Sequence, residues 1–202
     1  MLGSLTGSSK LGSLLASEVS VFFYLFAPKD KTVDHRTKFS THKENGSLLT
    51  LNVFLAMFII ETTATHFLFQ AWNHTVAWVI TTLSIYTCLQ LLAHIRSVKV
   101  RPVVLSHSGV FFRAGLWGGD AFVPLSSITK VELTKQPVSE PGAISLAFIK
   151  NLEKHNICIH FNAPVEVNKA LGMKKQANLL VMSIDKAPDF KILLDNLIQA
   201  RA

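Results

Sequence analysis

The sequence predicts a membrane α-helical hairpin followed by a small β-rich domain that closes with an amphipathic helix. Two apolar stretches, Leu48–Trp72 and Val76–Ile95, are separated by only three residues. Each has about 20 residues or more, enough for a helix to cross a hydrocarbon core of roughly 30 Å. From Val98 onward, apolar and polar residues alternate in short runs, which is typical of β-strands.

Composition divides the chain in the same way. Only 16% of the 202 residues are charged, against about 25% in soluble domains. Between Asn45 and Ile95 the single acidic residue is Glu61, and Lys and Arg are absent. We therefore predict four segments: an N-terminal membrane or interfacial helix (1–27), a cytoplasmic connector (28–46), the transmembrane hairpin (47–96) and a cytoplasmic domain (97–202).

The positions of the basic residues predict the orientation of the hairpin. The net charge is +7, and basic residues lie on both flanks of the hairpin but not in its loop: Lys29, Lys31, Arg36, Lys38, Lys43, Arg96, Lys99 and Arg101. Cytoplasmic loops of membrane proteins carry such an excess. We therefore expect both ends of the hairpin, and with them the C-terminal domain, to be cytoplasmic, and we expect no nucleic-acid partner. The alternative is that the surplus falls there by chance.

A third apolar run, Leu11–Ala27, is weaker than the other two and contains Glu18. Small residues recur in two rows at helical spacing: Ser4, Ser8, Gly12, Ala16 and Ser20, and Ser9, Ser13 and Ser17. Such a face lets membrane helices approach closely, so we favour a spanning or half-buried helix packed on the hairpin. Two alternatives stay open, a signal peptide and a helix lying in the membrane interface.

The C-terminal part is predicted to contain seven strands and one helix. The strands are Val98–Leu105, Val110–Ala114, Ala121–Val123, Ile128–Thr134, Ile144–Ile149, Asn156–Phe161 and Ala177–Ile184. Tight turns are expected at Ser106–Gly109 and Trp117–Asp120, and irregular connections at Gln136–Gly142 and Asn162–Gln176. An apolar stripe of helical period then follows: Phe190, Leu193, Leu194, Leu197 and Ile198. Asp185 or Ala187 is the expected cap, with Pro188 in the first turn.

One stretch of this part resembles a known class of domain. The segment "VLSHSGVFFRAGLWGGDAFVPLSSITKVEL" is similar to the opening of bacterial PH-like domains that follow membrane hairpins. Its "hydrophobic-Pro-Leu-x-x-Ile" element lies at Val123–Ile128, and the tail from Phe161 to Phe190 resembles the end of such domains. The resemblance covers roughly Val98–Ala202 and implies a PH-like β-barrel or sandwich of about seven antiparallel strands with a C-terminal helix. These families are mostly uncharacterised, so the resemblance implies little about function.

Polar residues within the apolar stretches are the first candidates for a functional site, because burying ionisable groups in lipid is costly. The candidates are Glu18, Glu61, His66, Tyr86, Gln90 and His94; the last three continue a four-residue spacing that begins at Thr82. They form either a proton- or ion-responsive cluster or ligand site, or hydrogen bonds that fix helix packing, which we favour. We expect Glu61 to be neutral, or paired with His66 or with another helix.

The C-terminal domain offers weaker candidates. Cys158 and His160 share one face of a predicted strand, but a metal site needs three or four ligands, so we expect a solvent-facing edge there. Lys99, Arg101, Lys174 and Lys175 are possible contacts for anionic lipid headgroups; the alternative for the last two is a solvated loop. No local motif of a nucleotide, hydrolase or metalloprotease site is present.

Together with the resemblance, which implies the bacterial inner membrane, these observations predict a non-enzymatic protein with two or three transmembrane helices, no cofactor and no metal. Its C-terminal domain is expected to be a recognition or scaffold module that binds a protein partner, or self-associates, at the cytoplasmic membrane surface. The alternative is a small transporter, sensor or lipid-handling protein that acts through the polar cluster around Glu61 and His66. A third possibility is a membrane enzyme that uses the same cluster.

Overall fold

The structure is a computed structural model, and it describes residues 8–26, 37–44, 46–138, 140–147, 154–169 and 173–200. Five helices and eight strands follow one another in this part of the chain: α1 (Ser8–Phe26), β1 (Lys38–Phe39), α2 (Ser47–Gln70), α3 (His74–Val100), β2 (Val103–Leu105), β3 (Gly109–Arg113), α4 (Gly115–Gly118), β4 (Asp120–Pro124), β5 (Ile128–Leu133), β6 (Ala143–Ser145), β7 (Ile157–Asn168), β8 (Lys174–Met182) and α5 (Ala187–Gln199).

Helices α2 and α3 form an antiparallel hairpin with a short loop. Asn73 caps α3, because its side-chain oxygen accepts hydrogen bonds from the backbone N–H groups of Thr75 (2.9 Å) and Val76 (3.1 Å). Both helices are long and apolar enough to cross a membrane, and only 6% and 17% of their apolar windows are buried within the protein. Their apolar side chains therefore face outward, unlike those of a core helix in a soluble domain.

Helix α1 packs against α3 and runs parallel to it. Glu18 contacts Tyr86, and further along both segments Tyr24 contacts Arg101. The two helices therefore run in the same direction. Its 19 residues span about 28 Å at 1.5 Å per residue. Val21 is buried, but a Cβ built on Gly12 would meet nothing within 4 Å. The expected packing of α1 on the hairpin is present, whereas the small-residue row makes no close contact at Gly12.

The strands form one mixed sheet in the order β1-β2-β3-β4-β7-β8-β6, with β5 paired to β7. All pairs are antiparallel except β6 with β8, which is parallel. The prediction of about seven strands closed by a C-terminal helix is therefore confirmed in part: the described residues form eight strands, and one pairing is parallel rather than antiparallel. Two more differences concern the bounds of elements. Helix α3 continues through Val98, the predicted start of the first strand, to Val100, and β1 lies in the segment predicted to be a connector (28–46).

Strand β7 is much longer than the sequence predicts, because a register shift between His160 and Val165 lets it continue past Pro164. Proline is tolerated in a strand at such a bulge. The predicted irregular connection, Asn162–Gln176, is therefore mostly strand, and β8 begins at Lys174. The turn predicted at Trp117–Asp120 is the short helix α4 followed by the start of β4.

Helix α5 closes the core of the sheet. Phe190 is fully buried and makes edge-to-face contact with Phe39, with ring centroids 5.1 Å apart. Leu194 is also fully buried, whereas Leu193 is 40% exposed. The helix begins after Lys186, which has a left-handed backbone (φ 56°) and no capping side chain, so the predicted cap is wrong and Pro188 in the first turn is confirmed.

Candidate functional site

The polar residues of the apolar helices do not form one cluster, because they lie at separate places on α1, α2 and α3. Tyr86 faces α1, where its hydroxyl donates a hydrogen bond to the Glu18 carboxylate. Both residues lie near the middle of their helices. This contact ties α1 to α3 at mid-length and matches the packing role that we favoured from the sequence. Gln90 is half-buried and makes no side-chain hydrogen bond within the described residues.

His66 lies between α2 and α3. Its Nδ1 is 2.7 Å from Thr81 Oγ1, and its ring meets Trp78 edge-on at 5.2 Å. Beside this pair lies a groove of about 600 Å³, here called the hairpin groove. Besides His66 and Thr81, the groove is lined by Thr62, Thr63 and Cys88. The rest of its lining is aliphatic or aromatic: Leu55, Ile59, Phe67, Trp78, Ile85, Leu89 and Leu92. The groove suits an apolar occupant with one polar group.

Glu61 does not belong to this groove. At 100° per residue, the five positions between Glu61 and His66 place them about 140° apart around α2. Glu61 is exposed and forms no hydrogen bond or ion pair with the described residues. Pairing with His66, one of the alternatives that the sequence left open for Glu61, is therefore not found in the structure. The cluster predicted around these two residues is divided between two faces of the hairpin.

His94 belongs to the junction between α3 and the sheet. It is fully buried and its ring stacks on Trp117, with centroids 4.7 Å apart and an interplanar angle of 12°. Its Nδ1 accepts the backbone N–H of Trp117 at 3.3 Å, and Ser97 Oγ accepts the N–H of Leu116 at 2.8 Å. The predicted stripe from Tyr86 to His94 is therefore split, because Tyr86 faces α1 and His94 faces α4.

Arg101 completes this junction. Its guanidinium donates to the Gly115 carbonyl at 2.9 Å and to the Asp120 carboxylate at 2.6 Å, and it lies 5.6 Å from the ring centre of Tyr24. The arrangement links α1, α3, α4 and β4 through one side chain. Arg101 is thus committed to internal contacts, and the expectation that it binds headgroups is not supported. Lys99, two residues before it, is exposed.

Lys174 and Lys175 lie at the start of β8 rather than in a loop. Lys174 Nζ forms an ion pair with Glu166 at 2.8 Å, and its side chain remains 64% exposed. Lys175 is exposed and is the register partner of Val167. These lysines and Lys99 remain available at the surface.

Cys158 does not face solvent, which corrects the sequence prediction. It is 2% exposed and packs with Leu179 and Val181. Burial, then the nearby carboxylates of Glu132 and Glu140, raises the pKa of this thiol to about 11. His160 Nε2 lies 3.9 Å from the sulfur and 3.5 Å from Glu132, so one nitrogen serves both contacts. A nucleophilic relay uses both imidazole nitrogens, so this arrangement does not suit catalysis.

Sequence reasoning missed an aromatic pair on the outer face of the sheet. Phe111 in β3 and Phe122 in β4 are register partners, with ring centroids 4.5 Å apart, and they are 38% and 42% exposed. Arg113 lies over the Phe111 ring at 5.6 Å. The signal was present in the sequence, because both residues interrupt the alternation of inward apolar and outward polar side chains. We call Phe111, Phe122 and Arg113 the aromatic patch.

No group of three or more His, Cys, Asp or Glu residues suited to a metal ion occurs in the described part of the chain. Comparisons of the chain with protein families, curated proteins and solved structures give no match.

Proposed function

We propose that this protein is a membrane-anchored, non-enzymatic recognition module whose PH-like β domain binds a protein partner through the aromatic patch. The observation that carries the proposal is that Phe111 and Phe122 lie side by side and exposed on the outer face of the sheet. Aromatic residues and arginine are enriched at protein interfaces and supply much of their binding energy. A flat, exposed sheet face also suits a protein partner better than a small substrate.

The contacts between the helices and the sheet support the anchoring part of this proposal. The outward apolar surfaces of α2 and α3 suit a bilayer, whereas the apolar part of α1, Leu15–Phe26, is shorter than a full crossing. Helix α3 continues directly into the junction of His94, Trp117 and Arg101. A domain held in this way has a fixed orientation at the membrane, which lowers the entropic cost of binding a partner there. The basic flanks favour the cytoplasmic side.

The aromatic patch is tested by a double substitution, Phe111→Ser with Phe122→Ser, in the full-length protein. We expect recovery of a stoichiometric partner from native membranes to fall at least tenfold, because the central apolar contact of the interface is removed. The matched control is Leu133→Ser, which alters another exposed apolar residue of the sheet (45% exposed).

The mass of the purified protein in mild detergent distinguishes self-association from binding of a different protein. A native dimer that the double substitution converts to a monomer identifies the partner as a second copy. Equal recovery of the same partner by the native chain and the double variant, with unchanged hydrogen exchange of the sheet, contradicts the proposal.

A second candidate function rests on the hairpin groove. Its apolar lining and its single His66–Thr81 pair suit a lipid or another apolar molecule with one polar group, which corresponds to a lipid-handling role. Substitution Ile59→Trp places a bulky side chain in the groove, whereas Ile60→Trp adds the same bulk at an adjacent exposed position outside its lining.

For this second candidate we expect native mass spectrometry of the gently purified protein to show a bound lipid in the native chain and in Ile60→Trp. The Ile59→Trp variant is expected to lose it. Equal occupancy in both variants, or an empty native chain, argues against a ligand site in the groove.

A further inference from the structure

Two connections between strands lie at the same end of the sheet. Strand β3 leads into α4 and β4, and β7 leads towards β8; the two connections meet because Asp120 is the register partner of Asn168. Lys169 Nζ strengthens this contact by donating hydrogen bonds to the carbonyls of Gly118 (2.8 Å) and Ser145 (2.5 Å). We call α4, Lys169 and Met173–Lys175 the junction end of the sheet.

This end lies level with the last turns of α3. Trp117 stacks on His94, and a Cβ built on Gly115 would lie 2.6 Å from the Val98 side chain. The apolar stretch of α3 ends at Ile95, and exposed Arg96 and Lys99 follow it. If α3 crosses the bilayer, these residues lie at the depth of the headgroups, where tryptophan is also enriched. The junction end therefore lies at the membrane interface.

The exposed side chains of this end suit an anionic surface. Met173 is a large apolar side chain that is 53% exposed. The two neighbouring carboxylates are already paired, Glu166 with Lys174 and Asp120 with Arg101. Lys175, Lys99 and Arg96 are exposed and form no ion pair with the described residues. An apolar side chain beside unneutralised cations is the combination by which peripheral segments bind anionic lipid.

We propose that the junction end of the sheet binds anionic lipid headgroups, with Met173 entering the interface and with Lys99 and Lys175 contacting the lipid phosphates. This inference rests on the proposed membrane anchoring and adds to it a contact made by the sheet itself, through Met173 and Lys175, beside Lys99 at the end of α3. A sheet that contacts the membrane in addition to the helices keeps the aromatic patch in a fixed orientation relative to the bilayer.

The test uses the full-length chain in nanodiscs of phosphatidylcholine, with or without phosphatidylglycerol. Hydrogen exchange is measured for the backbone amides from Met173 to Asn178. We expect exchange to be at least threefold slower in the anionic discs, and we expect high salt to abolish the difference because it screens headgroup contacts. The double substitution Lys99→Gln with Lys175→Gln is expected to remove most of the protection.

The control double variant, Lys130→Gln with Lys135→Gln, removes the same charge from β5 and the loop after it and should keep the protection. Equal exchange in both kinds of disc overturns the lipid contact while leaving membrane anchoring intact. Failure of the native chain to enter nanodiscs of either composition instead refutes the anchoring on which the inference rests. Equal loss of protection in both double variants shows a nonspecific charge effect and also overturns the proposal.

Discussion

Substitution Leu194→Ala is expected to destabilise the β domain by about 2–5 kcal/mol, because it removes a fully buried side chain and leaves a cavity. Leu194 and Phe190 belong to the main core cluster, in which α5 packs against residues of most strands of the sheet. A loss of this size is a large fraction of the stability of a small domain. We therefore expect the β domain of the variant to unfold at a clearly lower denaturant concentration than that of the native chain.

The matched control is Leu193→Ala, one residue away on the same helix. Leu193 is 40% exposed, so its truncation is expected to cost less than about 1 kcal/mol. The measurement is denaturant-dependent hydrogen exchange of the β8 amides in detergent micelles, which reports unfolding of the sheet separately from the apolar helices. Similar losses in the two variants contradict the packing of α5 described above.

This pair of leucines also shows how far the sequence predicts the fold. Helical period places Phe190, Leu193 and Leu194 on one apolar stripe, and the stripe exists. Period alone cannot tell its centre from its edge, because burial depends on the tilt of the helix over a sheet whose curvature is unknown. The hairpin was predicted more closely, since its signal, long apolar runs without charge, is local and needs no knowledge of packing partners.

The largest errors in the predicted element bounds arose where a contact with a distant segment of the chain decides whether a strand or helix continues. Proline predicts that a strand ends before Pro164. Strand β7 nevertheless continues through a bulge, because β8 pairs with it on both sides of the register shift. Val98 sits in an alternating pattern, yet it remains helical because α4 packs against that turn of α3. In both cases a tertiary contact outweighs a local preference.

The candidate site also depends on tertiary contacts that the local sequence does not predict. Polar residues could be identified within the apolar stretches, but their grouping required the geometry: Glu61 and His66 are close in sequence and lie on different faces of α2. Tyr86 and Glu18, which are 68 residues apart, share a hydrogen bond. Phe111 and Phe122 form the aromatic patch only because the register of β3 and β4 pairs them.

Substitution Asp185→Asn is expected to cost about 2–3 kcal/mol at neutral pH, because a buried carboxylate accepts several backbone hydrogen bonds. Its oxygens lie 3.3 Å from the N–H nitrogen of His42, 3.0 Å from that of Lys43 and 2.9 Å from that of Glu44. The carboxylate thereby ties the start of α5 to the segment that leads into α2. An amide retains one acceptor oxygen but directs an NH₂ group at the same donors, so part of this contact is lost.

The pH dependence of stability gives a sharper test of the same residue. Burial acts to raise the pKa of Asp185, but the hydrogen bonds from Ser40, Glu44, Lys43 and His42 together outweigh it, so the folded-state pKa lies below the ordinary value of 3.8. Its stabilisation is therefore complete above the ordinary value and is lost as the pH falls through the lowered folded-state pKa. Acid titration of the unfolding free energy should show this loss in the native chain and in Asp189→Asn, which alters an exposed carboxylate in the first turn of α5. In Asp185→Asn that part of the acid-dependent loss should disappear. An unchanged acid profile would show that Asp185 does not tie the start of α5 to the segment before α2.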